Sequence, residues 1–184
     1  MSGTGIEKKS MNATESLEKQ AVVSAPCACS AKAWRAISLW QPWASAMAAG
    51  MKKNETRSWP TAYRGELAIC AAKRNLDHDG LAVARNEGVP LTGMAFGAVL
   101  CVVEVYACLP TNSAHIGQPI TEQEMALGDY SPGRFFWMTR NCRTLTTPLP
   151  IVGRQGMWIL TPETVAQIKA LLPNAPDQRP GAKT

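Results

Sequence analysis

Histidine is scarce in this chain, long apolar runs are missing, and the cysteines follow no regular spacing. Only His78 and His115 occur in 184 residues, and they stand far apart. The six cysteines are Cys27, Cys29, Cys70, Cys101, Cys108 and Cys142. Only the first two are close, and C-x-C is not a zinc-knuckle spacing. No metal site and no cofactor are therefore expected. Cys70 and Cys101 sit in apolar runs, as small core residues do, and reduced thiols are the natural reading. No apolar stretch approaches the length needed to cross a bilayer. The early lysines are not followed by the apolar segment of a secretory signal. The expectation is a cytoplasmic protein with no membrane association.

What is present is enough for one domain with tails. Hydrophobic residues make up 46% of the chain and include six tryptophans, sufficient for a core. The net charge is +5, and its location says more than its size. Between Gly50 and Arg74 stand Lys52, Lys53, Arg57, Arg64, Lys73 and Arg74 against Glu55 and Glu66. Such a cluster suits a phosphate-bearing partner; a solvated basic face fits the charge alone equally well.

Residues 1–33 are rich in Ser, Ala, Lys and Glu without periodicity and read as a disordered or loosely attached extension. The domain is expected over 34–172, and 173–184 reads as a flexible tail. Ala36 to Trp40 alternates like a strand. Pro42 suits the first turn of a short helix over Trp43 to Ala49, with Gly50 as its stop. Glu55 to Ser58 reads as extended, with Glu55 and Arg57 on one face. Gly65 to Ala71 predicts a strand, and Asn75 to Glu87 a helix with Asn75 as a possible cap. Gly97 to Leu109 is the longest apolar run and predicts a central strand buried on both faces, interrupted by Glu104. Pro110 to Pro119 reads as a loop. Thr121 opens a short helix with Glu124 as its capping-box partner. Asp129 to Gly133 reads as a turn, Arg134 to Arg140 as a strand, and Pro148 and Pro150 as the frame of a separate edge segment. A tight loop at Gly153 to Gly156, a strand over Met157 to Leu160 and a helix from Thr161 to about Leu172 complete the pattern. The fold class expected is α+β, a small barrel-like domain with short flanking helices.

Gly50 to Trp59 carries the chemistry. Lys52 and Arg57 both bind phosphate readily, and arginine forks onto a base edge or a carboxylate. Glu55 can accept from the exocyclic amine of cytosine or adenine. Trp40, Trp43 and Trp59 could stack on an unpaired base. Alternatively, Lys52 and Glu55 could form an acid/base pair if burial shifts their pKa values. The plain structural alternative is an ion pair of Glu55 with Arg57 at a barrel rim, with the tryptophans in the core. Three ionisable groups beside tryptophans are costly to hold near a core without a function.

Gly50-x-Lys52-x-x-Glu55-x-Arg57 resembles the G-x-K-x-x-E-x-R signature of the ASCH domain family (activating signal cointegrator homology), a PUA-like group. Gln41-Pro42-Trp43-Ala44, Tyr63-Arg64-Gly65-x-Leu67, Ala72-Lys73, Gly133-Arg134-Phe135 and Gly153-Arg154-Gln155-Gly156-Met157-Trp158 also resemble the family, in the right order. The resemblance spans roughly Trp34 to Leu160. It implies a PUA-like β-barrel with a cleft holding the signature residues, and binding of RNA or other nucleic acid. It also implies a catalytic alternative, since some members hydrolyse N4-acetylcytidine and others are reported to cleave RNA. In the amidohydrolase-type members a lysine, a threonine and a glutamate are the catalytic set. Lys52 matches the lysine, Glu55 stands where the threonine is expected and has no hydroxyl to offer, and Glu104 is the candidate for the third.

The expected nucleic-acid site therefore comprises Gln41, Trp43, Lys52, Glu55, Arg57, Trp59, Lys73, Arg74, Arg154 and Gln155. Lys52, Lys73 and Arg74 would hold phosphate, Glu55 and Arg57 would read a base edge, and Trp43 or Trp59 would stack. If the protein is a hydrolase, Lys52 is its general base and Glu55 or Glu104 its partner. A third possibility is a protein-interaction module that recruits partners through its tails.

Overall fold

The structure is a computed structural model that describes residues 33–112 and 120–173. The expected extension over 1–33 (apart from residue 33), most of the 110–119 loop and the tail beyond residue 173 lie outside the described residues. Ten elements follow in chain order: β1 (Arg35–Gln41), α1 (Trp43–Ala48), β2 (Asn54–Arg57), β3 (Gly65–Leu76), α2 (His78–Asn86), β4 (Ala98–Pro110), α3 (Glu122–Ala126), β5 (Phe135–Pro150), β6 (Met157–Ile159) and α4 (Pro162–Leu171). The mixed α+β class is as the sequence reads.

The six strands form one sheet in the order β2-β5-β4-β3-β1-β6. This corrects the expected barrel. Closure needs the two outer strands to pair, and here they are β2, of four residues, and β6, of three, at opposite ends of the order. The β1–β3 pair is parallel, while β4 runs antiparallel to both of its neighbours, β3 and β5. β4 is a central strand, and Ala98 to Val103 are buried without alternation, as an interior strand requires.

Each face of the sheet has its own cover. On one, Ile37, Leu39, Leu67, Ile69 and Trp137 pack with Met47 of α1. On the other, Ala36, Ala68, Val99, Val102 and Leu145 pack with Ile168 of α4. α1 stops where Gly50 takes φ +71°, a conformation that strains any residue with a Cβ.

Three boundaries move. β3 runs on to Leu76, so α2 begins later than read and its cap is Asp77, whose side chain accepts from Gly80 N at 2.8 Å. β5 continues unbroken to Pro150, absorbing the segment read as separate. Thr121 caps α3 as expected, accepting from Glu124 N at 3.1 Å. The Glu124 carboxylate, however, accepts from Lys53 N and Asn54 N, each at 2.8 Å, and so fastens the start of β2. β2 pairs with β5, Glu55 opposite Trp137, and Thr139 holds Lys53 O through both its N–H (3.1 Å) and its hydroxyl (2.6 Å).

Candidate nucleic-acid cleft

The turn after α1 aims Lys52 inward. Met51 N and Lys52 N both donate to Ala46 O, at 3.0 and 3.1 Å, which folds the chain back beneath the helix. Lys52 is only 4% exposed, and its Nζ donates to Leu127 O at 2.8 Å. Burial holds its pKa below the ordinary lysine value, against the opposing pull of Glu55 and Glu124. Glu55, 6% exposed, stands three residues on, with Oε2 4.0 Å from Lys52 Nζ. Its Oε1 lies 2.8 Å from Arg57 Nε. That approach is off the N–H axis, so it is an ion pair and the Nε–H makes no hydrogen bond. Arg57 is held from its other end, where Nη2 donates to Ser38 O of β1 at 3.1 Å.

These residues line a cleft of about 600 Å³. Its walls include Leu39 and Trp40 of β1, Trp43 of α1, the start of α2, and the turn from Leu127 to Asp129. Trp40 is 53% exposed and stands at the cleft without full packing. Trp43 is fixed: its indole N–H donates to Asp77 Oδ2 at 3.0 Å. Arg134 closes the far side, with Nε 3.1 Å from Asp129 Oδ2 and a donated bond to Thr56 O at 3.4 Å. Hydrogen bonds from Ser131 hold the Asp129 carboxyl below its usual pKa, with Arg134 adding to the effect. The lining is thus mixed in sign, with Lys52, Arg57 and Arg134 against Glu55, Asp77, Asp79 and Asp129. It offers donors and acceptors rather than a uniformly positive surface.

Of the residues read from the sequence, Trp43, Lys52, Glu55 and Arg57 come together here. Gln41 does not line the cleft. It is fully buried, its amide donating to Ala95 O at 2.7 Å and its carbonyl accepting from Ser45 N at 3.0 Å. Trp59 packs edge-on against Trp137 with ring centroids 4.5 Å apart. Lys73 and Arg74 are exposed near the end of β3, and Arg154 and Gln155 are exposed in the loop before β6, all outside the lining. Between the Leu39–Ala71 and Gln41–Leu76 pairs, however, residues 72–75 bulge opposite Trp40 alone. Lys73 and Arg74 therefore lie beside the cleft's exposed tryptophan. Glu104 is elsewhere, on β4, gripped by Arg140 at 2.6 and 3.0 Å and by Asn141 at 2.9 Å.

The far wall was not read as part of the site. Arg134 lies within a quoted motif and could have been promoted from it; Asp77 stands where a helix cap belongs. The carbonyl of Leu127 leaves no trace in sequence, because any residue supplies one.

The ASCH domain model matches residues 37–147. The chain belongs to the ASCH domain family, a family generally linked to RNA binding. It is 27% identical over 132 residues to activating signal cointegrator 1 of Mus musculus and, equally, to that of Homo sapiens. Those matches cover 67% of this chain and 22% of each relative, so the chain spans about a fifth of the length of the proteins it resembles. Among solved structures it is similar to ASCH from Zymomonas mobilis, with 15% identity, a TM-score of 0.48, and coverage of 77% of this chain and 96% of that one. A single-site mutant of that protein gives 16% identity and a TM-score of 0.49, covering 77% of this chain and 100% of that one.

Proposed function

We propose that this domain binds RNA by admitting one unpaired base into the cleft formed by Lys52, Glu55 and Arg57. The observation that carries this reading is the pairing of an enclosed, mixed-sign floor with an under-packed tryptophan. A volume of about 600 Å³ falls in the range of small-molecule sites and suits a nucleoside better than a duplex. Glu55 would accept from an exocyclic amine, the Arg57 guanidinium would donate through its terminal N–H groups to a ring nitrogen or carbonyl, and Trp40 would stack on the base. Lys73 and Arg74 on the neighbouring bulge would hold flanking phosphates. Titration of labelled single-stranded RNA tests this. Binding should weaken with salt and should fall in both Glu55→Gln and Trp40→Ala. Full affinity in both variants, or no binding to any RNA or DNA tried, rejects it.

A second reading is favoured by the desolvated Lys52. A lysine held below its ordinary pKa is a better general base than an exposed one. Lys52 would then act with Glu55 in a hydrolysis, on an N4-acylated cytidine or on the RNA strand itself. Glu104, engaged by Arg140, would have to leave that pairing to take part. An oligonucleotide carrying one N4-acetylcytidine, incubated with wild type and Lys52→Ala and weighed by mass spectrometry, decides. Loss of the acetyl group that depends on Lys52 supports catalysis; turnover unchanged in the variant removes Lys52 from the role.

A further inference from the structure

Two thiols meet away from the cleft. Cys101 of β4 is paired with Thr144 of β5, and Arg143 is still in register with Val102. Cys142 therefore projects from the same face as Thr144, diagonally across from Cys101. Both lie beneath the last turn of α1. Cys142 Sγ donates to Met47 O at 3.1 Å, and Cys101 packs in the cluster that contains Met47. The register and the shared position under α1 thus make the two thiols neighbours. Cys142 is exposed, whereas Cys101 is fully buried, so one is open to a solute and the other stands behind it.

The ladder here is irregular. Val102 faces Arg143 and Glu104 faces Arg140, so β5 carries one extra residue, and Asn141 takes φ +52°. A second irregularity separates the Cys101–Thr144 and Val99–Leu149 pairs. Bulges on both sides give this short segment slack that a regular ladder lacks. Diagonal side chains of a regular ladder stand about 7–8 Å apart, beyond disulfide geometry, so closure needs the backbone to move, and the bulges supply room for it.

We propose that Cys142 and Cys101 form a peroxide-responsive dithiol that closes to an intramolecular disulfide. The Cys142 thiolate attacks one oxygen of hydrogen peroxide; the O–O bond breaks, hydroxide leaves, and Cys142 becomes a sulfenic acid. The Cys101 sulfur then attacks the Cys142 sulfur. The S–O bond breaks, and the departing hydroxide takes the Cys101 proton as water. Both thiols are oxidised to one disulfide, and the peroxide is reduced to water. The neighbouring Cys101 thiol, the Thr144 hydroxyl and Arg143 together bring the Cys142 pKa down to about 7, which supplies the thiolate. Cys70, pushed up to about 12 by burial, does not compete.

The test uses the full chain, reduced, desalted and exposed to hydrogen peroxide. Free thiols are then blocked, and the protein is digested without reductant for mass spectrometry. The expected product is a peptide linking Cys101 to Cys142, short of one hydrogen from each sulfur and released by dithiothreitol. Cys142→Ser should abolish the link and leave Cys101 reduced. Three results overturn the proposal: Cys142 oxidised to sulfinic acid with Cys101 free, Cys142 joined to a second copy, or Cys101 oxidised just as fast in Cys142→Ser.

Discussion

The indole of Trp43 occupies the space that a side chain at Gly80 would need. A Cβ built on Gly80 would stand 2.4 Å from the ring and 2.8 Å from Asp77 Oδ2. The absence of a side chain on α2 is thus what lets the tryptophan lean over the helix start and donate to Asp77.

Gly80→Ala should therefore destabilise the protein, by about 1–3 kcal/mol through overpacking. In an ordinary helix interior the same change would stabilise by up to about 1 kcal/mol. Urea unfolding reads the sign directly, and Trp43 emission should shift as the ring is displaced. A stabilised variant would mean that the ring swings aside at no cost.

Glu124 ties α3 to β2, and its loss leaves two backbone N–H groups without partners. Glu124→Ala should cost roughly 2–4 kcal/mol. Faster hydrogen exchange at Lys53 and Asn54 should accompany it, and amide protection at wild-type levels would contradict the tether.

Lys52 gives the stability a defined pH dependence. Its folded pKa lies below the ordinary 10.5, so between the two values the unfolded chain holds more protons. Stability then rises with pH across that window, with a slope no steeper than about 1.4 kcal/mol per pH unit. Below the window both states are charged, and the burial penalty is constant. Wild type should gain on Lys52→Met as pH climbs toward 10.5, measured by paired urea curves. Parallel curves would show that Lys52 keeps an ordinary pKa.

Cys142 should be the described cysteine that alkylates first, with an iodoacetamide rate whose midpoint lies about pH 7. Cys70 and Cys101 should stay unlabelled in the folded protein. Equal labelling of all three would indicate global opening.

Stacking and phosphate contacts respond differently to salt. Trp40→Ala should lower RNA affinity by about 1–3 kcal/mol and leave the salt dependence unchanged. Lys73→Ala or Arg74→Ala should each reduce the salt slope by roughly one. Reversed behaviour would exchange their roles.

Much of the fold could be read in advance where a local rule and the tertiary fold agree. Pro42 and Gly50 bracket α1, and the unbroken apolar run of β4 marks an interior strand. The ionisable set Lys52, Glu55 and Arg57 was legible because such side chains near a core are costly. Less could be read where the decision is tertiary. Pro148 and Pro150 look like breaks but sit at the far end of one long strand. Gln41 has the side chain of a base reader, yet its amide is consumed within the fold, and composition does not show which polar atoms are already engaged. Arg134 and the Leu127 carbonyl reach the cleft only because β2 lies against β5.

That placement has a kinetic side. Among the described strands β2 pairs with β5 alone, with Glu55 opposite Trp137 across more than eighty residues of chain. Closing so long a loop is entropically slow, and pairings of this kind raise contact order and delay folding. The signature lysine, glutamate and arginine leave the ribosome before β5, so the sheet edge that holds them can form only after that strand has followed. A nascent chain that ends before Phe135 holds all three side chains and has no strand to set them against.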